Sequence, residues 1–359
     1  MNDKHTDSSR VEFSADERNV LAYLATKRRV DVRWLSEEDK LIIRNVLDEL
    51  HNRKRLSLLR ISKEVGKSYG KVWGLCRALE LSTRNVAEAD RNSAEERSKH
   101  KKTPFDRTEE EKAYILGFSA GDLTVQQVSS LALFVSSTTT HPAFAKLFRE
   151  LFENYGPVYQ YPMYEANKGY RWKLAARVDN SFSFLLKQPR EALRLTTSKR
   201  PLFLNWLAGL MDSDGNINIT NGSGYVRAML AIYNQDRALL NSTKRILLVM
   251  GYHPVGPYLG YVKGTVTPYA RYTKDMWRLQ LERIQEVQNL LTELPLRHSE
   301  KIRRKALLLR LSRPAKWNHF KARVLKMRRQ IRNEVMRFLE QAEQRYLSRH
   351  TAERRKDRK

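Results

Sequence analysis

The chain has 359 residues, 41% of them hydrophobic, which is enough for two or three modules with cores of their own. Its 67 Lys and Arg outnumber 40 Asp and Glu, a net charge of +27; that balance points to a polyanionic partner, and with no apolar run near the roughly 18 residues of a membrane span, nucleic acid is favoured over a membrane. The single cysteine, Cys76, excludes an internal disulfide and a multi-cysteine zinc site, the first residues lack a signal-peptide apolar core, and the reading is a cytoplasmic or nucleoid-associated protein with Cys76 as core packing.

Residues 11–82 read as a small all-α module. Ser14 and Glu17, then Ser36 and Asp39, have the spacing of helix-start caps ahead of "RNVLAYLATKRR" and "LIIRNVLDEL". The stretch "LSLLRISKEVGKSYGKVWGLCRALEL" at 56–81 reads as helix, tight turn and second helix, with Ser68 as the second cap. This pattern resembles a helix-turn-helix, whose second helix enters a DNA major groove. Val72, Leu75 and Leu79 would then face inward, leaving Tyr69, Lys71 and Arg77 for DNA. The alternative is a plain helical hairpin with a solvated charged face. Residues 83–107 lose the apolar period and read as a linker.

A repeat follows. The apolar helix of "TEEEKAYILGFSAGDLTV", from Thr108, ends at Asp122. That of "NWLAGLMDSDGNINI", from Asn205, ends at Asp214. Gly117 matches Gly209 and Asp122 matches Asp214, both at an offset of 92. "NYGPV" answers "VMGYHPV", and "RWKLAAR" answers "MWRLQLE". Two copies of one unit are therefore predicted, 108–198 and 199–312, each with helix, two strands, helix, two strands, helix.

The chemistry starts at the ends of those two helices. A helix C-terminus carries partial negative charge, so an anion there is destabilising by roughly 0.3–1 kcal/mol. Small residues on both helices, Gly117 and Gly121 on one and Ala208 and Gly209 on the other, would allow close parallel packing. Asp122 and Asp214 then meet at one end, and two carboxylates about 5 Å apart repel by about 3 kcal/mol at an effective dielectric near 20. A divalent cation reverses the sign of that term, and hard oxygen ligands favour Mg²⁺, or Mn²⁺. Metal between carboxylates on a basic protein suggests phosphodiester hydrolysis. The bland alternative is a pair of capped helix ends.

"LAGLMDSDG" at 207–215 resembles the motif of the LAGLIDADG homing endonucleases, differing only at Met211 and Ser213, and "ILGFSAGDL" at 115–123 resembles a looser first copy. The resemblance covers about 108–310. It implies an α+β fold: two pseudo-symmetric αββαββα units in one monomer, whose antiparallel sheets form a saddle over double-stranded DNA, with the motif helices as the interface. It implies that Asp122 and Asp214 bind metal and that both DNA strands are cut across the minor groove, leaving 3′ overhangs. A basic residue near each site is implied as well, for which Lys301 fits in copy two and Lys199 in copy one; either could instead be a phosphate contact or a solvated lysine. Asn234 and Gln235, with Thr138 to Thr140 in copy one, are candidates for placing water or contacting DNA. Two departures stand in the first copy, Ala120 where the family often has Asp and Leu123 where it usually has Gly. The second is expected to disturb the turn presenting Asp122 and weaken one strand cut.

Arg171, Lys173 and Arg177 in copy one and Arg227, Arg271, Lys274 and Arg278 in copy two lie on predicted strands, where a period of two puts one set on an exposed face. Residues 313–359 read as a basic amphipathic helix and tail; from 297 onward there are 22 Lys and Arg against 6 acids. Three functions fit: a site-specific DNA endonuclease of mobile-element type with a helix-turn-helix arm, a DNA-binding regulator on the same scaffold, and an intron maturase with RNA as partner.

Overall fold

Four helices build the first unit: α1 (Ala15–Thr26), α2 (Glu37–Asp48), α3 (Leu58–Glu64) and α4 (Tyr69–Ala78). These coordinates are a computed structural model that describes residues 12–27, 30–82, 102–129, 131–166, 168–267, 272–311 and 315–356. The chain divides into two units, Met1–Lys101 and Lys102–Lys359. Both predicted caps of the first unit form. The Ser14 hydroxyl accepts from the Glu17 amide at 3.2 Å while the Glu17 carboxylate accepts from the Ser14 amide at 2.6 Å. Ser36 accepts from the Asp39 amide at 3.0 Å. Each satisfies helix-start N–H groups that otherwise lack partners. Leu24, Leu47, Leu50, Ile61, Val72 and Cys76 fill this unit's core, and burial pushes the Cys76 thiol up to about 11, as expected of a packing residue. The α3–α4 turn uses Gly66 at φ +62°, a conformation that disfavours side chains.

The second unit contains the repeat. Copy one runs α5 (Glu109–Asp122), β1 (Thr124–Ser129), β2 (Ala132–Thr139), α6 (Pro142–Phe152), β3 (Val158–Glu165), β4 (Gly169–Asp179) and α7 (Pro189–Thr196). Copy two runs α8 (Arg200–Asp214), β5 (Gly215–Gly222), β6 (Tyr225–Asn234), α9 (Arg237–Val249), β7 (Val255–Tyr261), β8 (Met276–Leu281) and α10 (Ile284–Glu293). The two antiparallel sheets have matching strand orders, β1-β2-β4-β3 and β5-β6-β8-β7. Two further helices follow, α11 (Ser299–Leu309) and α12 (Trp317–Lys356). The linker predicted over 83–107 ends early. The Thr103 amide donates to the Tyr155 carbonyl at 3.0 Å, and the Phe105 ring packs on Tyr155, Phe182 and Phe184. Residues 83–101 lie outside the described residues.

The motif helices α5 and α8 run parallel and touch backbone to backbone. A Cβ added to Gly117 would strike the Trp206 carbonyl, and one added to Gly209 would strike the Tyr114 carbonyl. Ala208 is fully buried beside them. This close approach offsets a glycine penalty of up to about 1 kcal/mol per helix position. Both helices lead directly into strands. The residue after each aspartate is extended, Leu123 at φ −93°, ψ 140° and Gly215 at φ −86°, ψ 154°. This corrects one expectation: Leu123 does not disturb the turn presenting Asp122, because any residue adopts that backbone.

Candidate metal and nucleic-acid site

The carboxylates of Asp122 and Asp214 lie at the shared C-terminal end of α5 and α8. Gly121 presents no side chain there, and a Cβ at that position would come within 2.9 Å of the Asp214 carboxyl carbon. Copy two's aspartate thus leans on copy one's helix. Its Oδ2 accepts from the Asn234 amide at 2.7 Å, and the same Nδ2 reaches the Ala120 carbonyl at 3.2 Å. Asp122 is open to solvent, yet protein crowds it enough that desolvation pushes its pKa up, opposed by the Lys301 charge. Asp214 is half-buried and pushed well above the carboxylate range, first by desolvation and then by the negative charge of Asp122. Two desolvated acids, one of them further raised by the charge of the other, form a site that gains from a cation.

The donor set fits a hard divalent ion. Two carboxylates supply oxygens, and Mg²⁺ bound by one or two carboxylates completes its shell with water and phosphate oxygens. Among the described residues no cluster of three or more His, Cys, Asp or Glu offers a different kind of metal site.

Lys301 sits beneath the pair. Its ammonium is buried, donates to the Met211 carbonyl, and is pulled electrostatically by Asp212, Asp122 and Asp214 while burial pushes its pKa down. Lys199 does not join it. It caps the N-terminus of α8 and is exposed, about 22 Å of helix away from Asp214. The role assigned to Lys199 is therefore corrected: a helix runs its two ends apart, and only the C-terminal end carries the acids.

Sequence reasoning missed the support under the site. Asp212 is fully buried in α8. Its Oδ2 accepts from the Tyr114 hydroxyl at 2.6 Å and from the amides of Arg297 and His298 at 2.6 and 3.1 Å, so it caps the start of α11. Arg297 stacks over the Tyr114 ring at 4.0 Å and forks onto Glu111 at 2.7 and 2.6 Å. With its carboxylate taken by Arg297, Glu111 completes no reciprocal capping box with Thr108, three residues before it, although the Thr108 hydroxyl still caps α5. Beside this, His141 of copy one holds Glu300 of α11 at 2.8 Å, and Arg304 pairs with the same carboxylate. Burial opposes the charge on Glu300, but those partners lower its pKa to about 2. The one sequence signal is the first acid of "MDSD", Asp212, on a largely apolar helix.

Strand register sorts the predicted DNA contacts. In sheet one Trp172, Leu174, Ala176 and Val178 face the core, so Arg171, Lys173 and Arg177 take the opposite face. There they lie across from Met163 and Tyr161 of β3 and Phe134 of β2. In sheet two Arg227 lies across from Thr220, and Arg278 across from Tyr233 and Tyr258, again away from the core. Lys274 is exposed just before β8, Gln235 is exposed just after β6, and Arg271 lies outside the described residues. Asn234 differs from expectation. Its amide is held by Asp214 and Ala120, so it belongs to the carboxylate site and not to the DNA contacts. In copy one Thr139 accepts from the His141 amide at 3.0 Å, as Asn234 Oδ1 accepts from the Asp236 amide at 2.8 Å; what copy two adds is the Nδ2 bond to Asp214, which a threonine has no amide to make. On α4, Tyr69, Lys71 and Arg77 are exposed as predicted from the periodicity, with the Arg77 guanidinium 5.6 Å from the Trp73 ring centre. Trp172 is buried, and its indole donates to the Phe338 carbonyl at 2.9 Å.

No protein-family model matches this chain, and no curated protein does. Among solved structures, the chain resembles I-DmoI in complex with DNA and Ca, at 18% identity over 52% of this chain and 93% of that one, with a TM-score of 0.36. It resembles the homing endonuclease I-WcaI bound to its DNA recognition sequence, at 11% identity over 63% and 96%, with a TM-score of 0.37. It also resembles the N-terminal LAGLIDADG domain of DUF199/WhiA, at 15% identity over 55% and 89%, with a TM-score of 0.35. Likeness at this level assigns no residue a role.

Proposed function

We propose that the protein is a site-specific double-strand DNA endonuclease that uses a divalent cation, Mg²⁺ or Mn²⁺, held by Asp122 and Asp214. The observation that carries this reading is the pair of carboxylates at the shared end of a backbone-to-backbone helix pair, both pushed up by desolvation and Asp214 further by the charge of Asp122. A bound cation would supply charge neutralisation at the scissile phosphate and a more acidic water. The chain's own residues do the rest. Asn234 holds Asp214 in place through Oδ2, leaving Oδ1 for a ligand. Lys301 provides a buried positive charge between the acids and Asp212, suited to steadying developing negative charge. Arg171, Lys173 and Arg177 with Tyr161, and Arg227 and Arg278 with Tyr233 and Tyr258, offer the donors that phosphates and base edges accept. The exposed Tyr69, Lys71 and Arg77 on α4 would extend that contact as a helix-turn-helix arm.

A DNA-binding regulator on the same scaffold is the second reading. It is favoured by one observation: Lys199, the counterpart to Lys301 that the resemblance implies, lies at the far end of α8 from the acids.

The test is selection from a randomised duplex library in Ca²⁺, followed by transfer of the enriched pool to Mg²⁺. Cleavage that Asp214→Asn abolishes supports the endonuclease. A tight specific site left uncut in Mg²⁺ supports the regulator.

A further inference from the structure

Helix α12 packs on the core side of both sheets. Phe320, Val324, Met327 and Ile331, spaced four, three and four apart, are buried in the same core as Leu174 and Ile219. Phe338 caps the core-facing Trp172, Tyr346 packs on Tyr164 and Tyr170, and the Arg328 guanidinium donates to the Ile219 carbonyl at 2.8 Å. Every one of these contacts is on the face of the sheets away from Arg171, Lys173, Arg227 and Arg278. The outward face of α12 therefore points away from the open sheet faces.

That outward face is built from cations. From Trp317 to Asn333 the helix has six Lys and Arg and no acid. Lys326, Arg329 and Arg332, three residues apart, fall diametrically opposite the buried stripe and are exposed, with Lys321 exposed beside them. Among the described residues none of these four is in an ion pair, and the next acid along the helix, Glu334, is held by Arg303 at 2.6 Å. A solvated structural face normally interleaves acids, as in the Lys187–Glu191 pair of this same unit. Three cations rising about 4.5 Å apart along a helix axis match a closely spaced row of phosphates, not a single anion.

We propose that this face of α12 is a second nucleic-acid surface, binding a phosphodiester backbone on the side of the unit opposite the open sheets. The protein then holds two nucleic-acid segments at once. The proposal rests on the open faces binding DNA, and the experiment separates the two claims. Full-length protein is retained on an immobilised duplex, then offered a second, labelled segment, either duplex DNA or structured RNA. Retention on the first duplex tests the open faces; capture of the second tests α12. The variant combines Lys326→Gln, Arg329→Gln and Arg332→Gln, all at exposed positions. Wild type is expected to capture the second segment with a salt slope steeper than the variant's by about 2.7, the value for three phosphate contacts. The variant should keep the first duplex with an unchanged slope. The preferred label, DNA or RNA, identifies the source of the backbone. Retention of the first duplex with no capture of the second by wild type, or equal capture by the variant, overturns the proposal.

Discussion

Lys301 and Lys199 separate a site residue from a surface one. Lys301→Met keeps much of the buried volume and removes the charge among Asp122, Asp212 and Asp214. It should slow metal-dependent cleavage by about 10²-fold, the scale of one lost electrostatic stabiliser, while affinity for DNA in Ca²⁺ is kept. Lys199→Met, exposed and a helix length away, should change neither; single-turnover kinetics on the selected duplex compares them directly. His298 carries a pH prediction. It is buried beside Lys301, and burial first, then that charge, push its pKa from 6.5 down to about 3. The unfolded chain therefore takes up the proton first as pH falls. The stability contribution is complete above about pH 6.5 and is lost toward pH 3, at about 1.4 kcal/mol per pH unit from this group. Glu300, held near 2, adds a loss of the same sign below 4.5. Urea unfolding between pH 6.5 and 5 should lose stability more steeply in wild type than in His298→Asn, by up to that slope, the raised carboxylates Asp122 and Asp214 contributing the opposite sign to both proteins.

The α5–α8 pair is where element-scale packing decides function, because it sets where the carboxylates meet. Gly209→Ala would drive a methyl into the Tyr114 carbonyl, and rigid backbone cannot yield as a side chain does. The variant should lose about 1–3 kcal/mol or more in chemical denaturation. Gly74→Ala on α4 is the contrasting case, since a Cβ there meets nothing; it should stabilise by up to about 1 kcal/mol. Much of this was legible in the sequence. The small residues at 117, 121, 208 and 209 and the acids at 122 and 214 have a spacing that parallel helices satisfy, and the alternation in β4 placed Arg171, Lys173 and Arg177 on one face. What was not legible is long-range. Asp212 capping α11 joins residues more than 80 apart, Arg297 taking Glu111 from its cap joins residues 186 apart, and no local pattern records either. Lys199 was misplaced because the resemblance implies a basic residue ahead of a helix but does not say which end of that helix faces the site.

At the scale of the whole molecule, the net charge of +27 is unevenly spent. Part of it lines the open sheet faces, and part covers the outward side of α12. No helix of the described residues is long and apolar enough to cross a membrane. Duplex binding should weaken steeply with salt: six neutralised phosphates give a slope of about −5 in log K against log salt, measurable by fluorescence anisotropy, and a flat response would remove the electrostatic basis of binding. The account as a whole turns on the two carboxylates. The most direct measurement is strand-resolved cleavage of the selected duplex in Mg²⁺ by wild type, Asp122→Asn and Asp214→Asn, each first shown to bind that duplex in Ca²⁺. The account predicts that wild type cuts both strands and that each substitution suppresses cutting without loss of binding. Cleavage that persists in Asp214→Asn, or a bound duplex that wild type leaves intact, would contradict it.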